Sequence, residues 1–452
     1  MTTSTQSSTN KPSGIRSRLC AAVLLSRGTS KSLGKNTAWA IAGFVTRLLL
    51  QAVYFVVIAR CLGVKEYGGF IAVAAMASMV APLVSLGNGS LLVKNVSRDK
   101  TLFGECWGNC LLMTIVSGSA LVLAAIALST ICLPRSISLP AILLICTADL
   151  IFVRLLDMAA FAFLAFENLG MNARLNVLIS ANRLMGVIGL AVFVRKPTVF
   201  AWSMVYFATA VLSASVALTW VRARLGPASL RVSRIRSEYK EGIYFAINNS
   251  AATSNNDIDK AMVATLSTLE ATGIYGAAYR LLDVAFIPVR ALLNAAYPGF
   301  FRNGANGLRG ALQYGRPLFR RALPYALVAM VMLFFGGPVV PHVLGPGYSG
   351  VAEALRWLAP LPLLKTLQFF VADSLTGSGY QRCRTVIQSF VAVFNVLINL
   401  WAIPAYGWRG AAATSLFSDG LLAAAFWAVA YHLSKAASQQ EDSLVLTAGA
   451  SA

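Results

Sequence analysis

The sequence predicts an all-α, polytopic membrane protein with about twelve transmembrane helices in two parallel-related six-helix lobes around a central cavity. Three observations predict it. Of 452 residues, 57% are hydrophobic and only 12% charged, with a mean hydropathy of +0.67, a composition that cannot cover a water-facing surface. Apolar stretches of roughly 20 residues, the length that crosses a hydrocarbon core as helix, recur from Trp39 almost to Lys435 with short polar breaks between them. A weak internal repeat then divides the chain in two.

Residues 1–37 are polar, Ser/Thr-rich and then basic, which reads as a disordered cytoplasmic tail. The apolar run from Leu19 to Leu25 is too brief for a signal peptide and is followed by Arg27 and Lys31. A short helix on the membrane surface is the alternative there. Hydropathy, glycine and proline breaks and charges place helices near 38–60, 67–89, 107–132, 138–163, 173–194 and 198–221, forming an N-terminal lobe over 38–221. A basic linker follows at 222–241. Helices near 242–266, 273–299, 322–344, 354–376, 383–403 and 409–433 form a C-terminal lobe over 242–433, and 434–452 is a second cytoplasmic tail.

An even number of crossings puts both ends on one side, and the basic residues say which. With the N-terminus inside, 24 of the 38 lysines and arginines fall in the cytoplasmic tails and loops. Only Arg60, Lys65, Arg135, Arg195, Lys196, Arg356 and Arg409 lie outside. The net charge of +21 is therefore topogenic and attractive to anionic membrane lipids, and calls for no nucleic-acid partner.

Other chemistries are poorly provided for. The seven cysteines are scattered without a CxxC pair, and His342 and His432 are the only histidines, so neither a disulfide framework, a metal site nor a histidine relay is indicated. No phosphate-cradling glycine loop or hydrolytic constellation is present, which argues against ATP drive, a cofactor or catalytic residues.

The repeat pairs Glu66-Tyr67-Gly68-Gly69 with Ile274-Tyr275-Gly276-Ala277, 208 residues later. Each opens a helix with a mid-span proline, Pro82 or Pro288, that runs into a basic residue, Lys94 or Arg302. Six helices per half make the repeats parallel, an arrangement that places a binding cavity between the halves and suits alternating access.

Ionisable residues at membrane depth are the most informative, because each costs at least ~2.5–3.5 kcal/mol on insertion scales if it faces lipid. Arg47, Gln51 and Tyr54 share a face of the first helix. Asp149, Arg154 and Asp157 lie on the fourth and Arg183 on the fifth. Asn255, Asp257, Asp259 and Lys260 cluster on the seventh, and Gly276, Arg280, Asp283, Arg290 and Asn294 form a stripe on the eighth. Seven cations meet seven acids overall. Arg280 with Asp283, Arg154 with Asp157, and Asp257 with Lys260 are i, i+3 neighbours, and each is either an internal pair or part of a site. Arg47, Arg183 and Arg290 have no acid three or four residues away, so they are the stronger candidates for an anionic ligand, with Arg280, Lys260, Gln51 and Asn255 beside them. Asp259, Asp257 and Asp283 are candidates for binding a coupling ion.

The segment Ala59-Arg60-Cys61-Leu62-Gly63-Val64-Lys65-Glu66-Tyr67-Gly68 resembles the turn between helices one and two of bacterial polysaccharide exporters. Asp259-Lys260 followed by Gly273-Ile274-Tyr275-Gly276-Ala277-Ala278-Tyr279-Arg280-Leu281 resembles the same family's acidic-basic pair and its entry to helix eight. The resemblance is to the lipid-linked oligosaccharide flippases of the multidrug/oligosaccharidyl-lipid/polysaccharide (MOP) exporter superfamily, and spans roughly Thr37 to Leu433. It implies a bacterial inner-membrane protein with an undecaprenyl-pyrophosphate-linked oligosaccharide as cargo, acting beside the polymerase and glycosyltransferases of one pathway. Residue matches carry over only for Asp259 and Lys260. A cation-coupled drug antiporter of the same superfamily, or a membrane polymerase, ligase or acyltransferase, are the alternatives; the first favours unpaired cavity acids and the second a long outer loop.

Overall fold

The computed structural model describes residues 14–231 and 257–449, with side chains placed from Gly43 to Lys435 except at Ser90 and 232–256. Among the described residues there is no strand. Helix α1 runs from Gly14 to Val80, but Gly63 at φ +71° interrupts it and turns the chain back. Only glycine takes that conformation readily, so the reversal between an outgoing and a returning limb falls there. The returning limb continues through a 3-10 segment, Ala81–Gly87, into α2, Asn88–Arg98. Next come α3 (Phe103–Cys132), α4 (Leu139–Thr147), a π turn (Ala148–Phe152), α5 (Val153–Ala165), α6 (Leu169–Phe193) and α7 (Val199–Leu225).

The second lobe begins, among the described residues, with α8 at 257–266. It continues through α9 (Leu269–Gly304), α10 (Gly307–Gly336), α11 (Val340–Leu344), α12 (Gly350–Leu358), α13 (Leu361–Gly377), α14 (Gln381–Tyr406) and α15 (Trp408–Gly449). Among the described residues, nine stretches are long and apolar enough to cross a membrane. The stretch from Gly43 to Arg98 crosses twice because of the turn at Gly63, the α12–α13 pair adds a crossing, and α8 is the described part of the expected seventh helix, in keeping with about twelve. Helix α1 starts at Gly14, inside the segment expected to be a disordered tail, and α15 runs on to Gly449 through the second expected tail. Residues 232–256, which hold half of the basic linker and most of the expected seventh crossing, lie outside the described residues.

The repeat has a structural meaning. Its two tyrosines are buried, Tyr67 at 2% exposure and Tyr275 at 0%, and the helices they open are the ones that join the lobes. A β-carbon on Gly68 would collide with the carbonyl of Leu269, one on Gly273 with the carbonyl of Val64, and one on Gly276 with the side chain of Ile71. Lipid tails give no hydrophobic drive to helix pairing, so close backbone approach through such small residues supplies the contact. The expected likeness of Pro82 and Pro288 is imperfect. Pro288 sits inside continuous α9, whereas Pro82 falls in the 3-10 break where Ser85 and Leu86 take positive φ and the Ser85 N–H turns to Ser117 Oγ, 2.9 Å away. Broken backbone at membrane depth is tolerated because that partner is protein.

The lobes meet at one end of the bundle, which carries the turn at Gly63 and residues 267–273 and 342–350. There Arg60 donates to the carbonyls of Val343 (2.5 Å) and His342 (2.6 Å), Tyr348 Oη donates to Ala59 O (3.0 Å), and Thr265 Oγ1 donates to Cys132 O. Tyr67 and Tyr348 stack edge to face at 6.3 Å. At the opposite end, among the described residues, no hydrogen bond or ion pair joins one lobe to the other. Among the described residues, the lobes are therefore joined at the Gly63 end and carry no such bond at the other, parted end.

Candidate functional site

Beneath the closed end, the returning limb of α1 faces α8 and α9 across a cavity of about 220 Å³. Its walls are Ile71, Ala74, Ala75 and Ser78 on one lobe and Asp257, Lys260, Gly276, Tyr279, Arg280 and Asp283 on the other. Arg280 lies eleven residues into α9, about 16 Å along the axis from its closed end. With a hydrocarbon core roughly 30 Å thick, a residue about 16 Å from the helix start lies well inside the span. Ala74 and Ala75 on one wall and Gly276 on the other leave the room that the charged side chains occupy.

The i, i+3 neighbours Asp257 and Lys260 pair at 2.7 Å. Lys260 Nζ also lies 3.9 Å from Asp259 Oδ1 and 4.4 Å from the centre of the Tyr279 ring. Asp257 Oδ2 accepts from Ser78 Oγ at 2.9 Å, a hydrogen bond that ties the lobes at mid-depth. Asp259 turns away from the cavity. Only 3% exposed, it accepts from Tyr275 Oη (2.6 Å) and Ser415 Oγ (3.2 Å) through Oδ2, and from the Lys260 N–H (2.8 Å) through Oδ1. The two neighbouring acids thus have different surroundings, one at the lobe interface and one inside the second lobe.

Arg280 is the exception among the cavity charges. Its side chain is exposed on the cavity wall and enters no ion pair among the described residues. The i, i+3 spacing suggests a pair with Asp283, but Asp283 instead faces Arg290 at 3.4 Å, two turns further along the same stripe. Arg290 therefore has an acid that a search over one turn misses. Both partners are about half exposed, so the pair contributes little to stability.

The first lobe carries a second cluster. Arg183 lies 3.5 Å from Asp149 and 2.5 Å from Tyr206 Oη, and Tyr206 in turn donates to Asp149 at 2.6 Å. Its guanidinium sits 4.5 Å from the Tyr206 ring centre. Asp149 belongs to the π turn at Ala148–Phe152, a local widening that aims it at the neighbouring helices. The i, i+3 neighbours Arg154 and Asp157 pair at 3.0 Å. Among the described residues, Arg47 meets no carboxylate within bonding distance, and it donates to Asn176 Oδ1 at 2.8 Å. Gln51 is exposed on the same helix, and Asn255 lies outside the described residues.

Of the candidates, Lys260, Arg280, Asp257 and Asp283 converge on one cavity. Arg47 and Arg183 stand on the first lobe, and Arg290 lies further along α9 toward the parted end. Sequence reasoning misses Ser78, whose small polar side chain carries no charge signal, and Tyr206, hidden in an apolar helix. The remaining intramembrane charges pair inside the second lobe: Lys365 with Asp419 at 3.3 Å and Arg384 with Asp373 at 3.1 Å. Among the described residues, no three His, Cys, Asp or Glu side chains converge as a metal site.

The closed end yields a prediction. Arg60→Ala removes two charge-assisted hydrogen bonds to the last carbonyls of α11, each worth about 1.5–3 kcal/mol when fully formed. Arg60 is exposed, which lowers that figure, so a shift of roughly tenfold toward the state open at this end is the expectation. A cysteine at Ala74, on a background without native cysteines, should become labelled from this end by an impermeant thiol reagent. Unchanged labelling would show that the glycine seam closes the end without Arg60.

Two six-helix lobes meeting at one end over a charged cavity at mid-depth define a polytopic membrane protein with the two-lobed MOP transporter fold. An inward-facing MATE-family multidrug resistance transporter of the MOP superfamily superposes with a TM-score of 0.69 at 11% identity, covering 87% of this chain and 97% of that one. The lipid II flippase MurJ in an inward closed conformation superposes at 0.70 and 10% identity, covering 86% of each chain. A MOP transporter from Pyrococcus furiosus, described by the reverse polarity of its binding pocket, superposes at 0.60 and 13% identity over 89% of this chain and 95% of its own. The chain belongs to the polysaccharide biosynthesis protein family, which residues 33–303 match. An uncharacterized membrane protein of Methanocaldococcus jannaschii is 24% identical over 192 residues, 40% of this chain and 37% of that relative's length.

Proposed function

We propose that this protein is a flippase, not an enzyme, that carries an undecaprenyl-pyrophosphate-linked oligosaccharide from the cytoplasmic to the periplasmic leaflet of a bacterial inner membrane, for exopolysaccharide, O-antigen or capsule synthesis. The observation that carries this reading is Arg280, a guanidinium with no carboxylate partner among the described residues, on the wall of a cavity between lobes joined at one end. A pyrophosphate and its sugars face a steep desolvation cost in hydrocarbon, whereas a prenyl chain does not. The protein needs to shelter the head alone. Arg280 and Lys260 then hold the phosphates from the second lobe, Arg47 and Arg183 face them from the first, and the tail trails through the gap between lobes. Separation of the Gly63 end and closure of the other re-exposes the head. Asp259, isolated from the cavity by Tyr275 and Ser415, and Asp257 and Asp283 on its wall are the acids through which an ion gradient would act.

The orientation follows from the basic residues, which makes the parted end cytoplasmic. Cysteines placed between Arg222 and Lys240 or between Asn303 and Arg320 should stay protected from an impermeant reagent in intact cells and react once the membrane is opened. Ready labelling in intact cells would invert the topology.

Leaflet-resolved labelling of the lipid-linked intermediate tests the function. In cells lacking this protein, completed repeat units should form and remain hidden from a lectin or oxidant outside the inner membrane, becoming reactive when vesicles are opened. Units exposed on the periplasmic leaflet of the deletion strain would refute the flippase and favour a polymerase or ligase. The shared fold with multidrug transporters supports a drug antiporter as the second reading, for which deletion would instead raise the retention of cationic dyes.

A further inference from the structure

We propose that the parted end of the second lobe carries a binding patch for the headgroups of anionic phospholipids, built by Arg309, Arg316 and Arg320 of α10 and flanked by Arg302 and Arg321. The patch is separate from the cavity and independent of the cargo assigned to it.

Helix α10 packs against the lobe through Leu308, Ala311, Gly315, Ala322, Ala326, Ala329 and Leu333, all buried and all on one face. Arg309, Arg316 and Arg320 recur at i, i+7 and i+11 on the opposite face. All three are exposed, as are Arg302 and Arg321, and none of the five enters an ion pair among the described residues. Nothing in the local sequence neutralises them, because no Asp or Glu occurs between Asp283 and Glu353. Among the described side chains, acids on the elements packed against α10 are committed elsewhere: Asp283 to Arg290 on α9, Asp373 to Arg384 on α13, and Asp419 to Lys365 on α15.

The occupant is indicated by what the same face does next. Continuing along α10 in the same register, the exposed residues become Leu327 (41%), Val331 (50%) and Phe334 (44%). One helix face therefore passes from arginine to apolar side chains within a turn or two, with no change in burial. That is the profile of a phospholipid read along its length, a phosphate beside guanidinium groups and acyl chains beside Leu, Val and Phe. A soluble acidic protein would match the arginines but leave the adjoining apolar run without a partner. From Arg309 to Arg320 the stripe is about 16 Å long, so several headgroup phosphates reach it at once.

The test uses full-length protein in neutral detergent, titrated with phosphatidylglycerol and, separately, phosphatidylcholine, with bound lipid counted by native mass spectrometry and thermal stabilisation followed in parallel. Each basic residue near a charged membrane surface strengthens binding about fivefold, so R309Q/R316Q/R320Q should weaken phosphatidylglycerol about a hundredfold. Phosphatidylcholine binding should not change. R135Q/R195Q/K196Q, which removes the same charge at the closed end, should keep the phosphatidylglycerol affinity. Glycerol 3-phosphate at saturating concentration should not displace the lipid, since the acyl contacts are part of the site. Three results overturn the proposal: retained affinity in the α10 variant, equal loss in the closed-end variant, or displacement by glycerol 3-phosphate. Should the triple variant fail to accumulate, R309Q, R316Q and R320Q singly should each lower affinity about fivefold, and no loss in any of them overturns it as well.

Discussion

Cells whose only copy of this protein carries Arg280→Ala are expected to make no surface polymer although the protein accumulates in the membrane in normal amounts. Arg280 is exposed on the cavity wall and makes no ion pair among the described residues, so its removal leaves no buried carboxylate uncompensated. Its protein partner is the Tyr67 hydroxyl, a neutral group, so the cost of losing it should fall chiefly on the ligand and less on the fold. A guanidinium binds phosphate oxygens through two parallel hydrogen bonds, each charge-assisted and worth about 1.5–3 kcal/mol. Loss of both corresponds to a fall of a hundredfold or more in affinity for the head. Arg280→Lys keeps the charge and loses the fork, so it should restore only part of the polymer. Leaflet-resolved labelling then locates the failure, because intermediate should collect on the inner leaflet of the alanine strain. Normal polymer from Arg280→Ala would remove this arginine from the transport path.

Lys260→Met is expected to fail differently. Its ammonium is the partner of Asp257 and lies close to Asp259, and it is itself 9% exposed. Breaking a buried pair by removing one member costs about 3–5 kcal/mol, since the remaining charge keeps its desolvation penalty without the compensating attraction. The single variant should accumulate poorly and melt early. Lys260→Met combined with Asp257→Asn removes both charges together and should recover most of that stability. Transport should stay low in the double variant, because the Ser78–Asp257 tie between lobes is altered and a cavity cation is gone. Thermal stability in detergent and polymer output separate the two effects. A double variant no more stable than the single would show that Lys260 is held chiefly by Asp259 and the Tyr279 ring.

The structure redistributes roles among the candidates read from sequence. Arg183 and Arg290 stand out in the sequence for lacking an acid within one helical turn, yet both acquire one. Asp149 reaches Arg183 from another helix, and Asp283 reaches Arg290 along two turns. Arg280 stands out less, because Asp283 lies three residues on, and it is left without that partner. A one-dimensional search over i, i+3 and i, i+4 neighbours cannot see either outcome. Which of two arginines wins a shared carboxylate depends on rotamers and on what faces the helix.

Alone, the sequence determined that the chain lives in lipid, that it crosses about twelve times in two related halves, and that charged side chains line the space between them. Those conclusions rest on hydropathy, spacing and the insertion cost of a charge, which act residue by residue and leave their mark in one dimension. Tertiary structure decided the rest. The break at Ala81–Gly87, the π turn that presents Asp149, the seam of Gly68, Gly273 and Gly276, and the Arg60 bridge to α11 are all set by segments that meet only after folding. The pairing of acids with arginines and the end at which the lobes close belong to the same class. Both depend on distances between helices far apart in sequence, and within lipid those distances are set by side-chain packing and hydrogen bonding instead of by the hydrophobic pattern that marks the helices themselves.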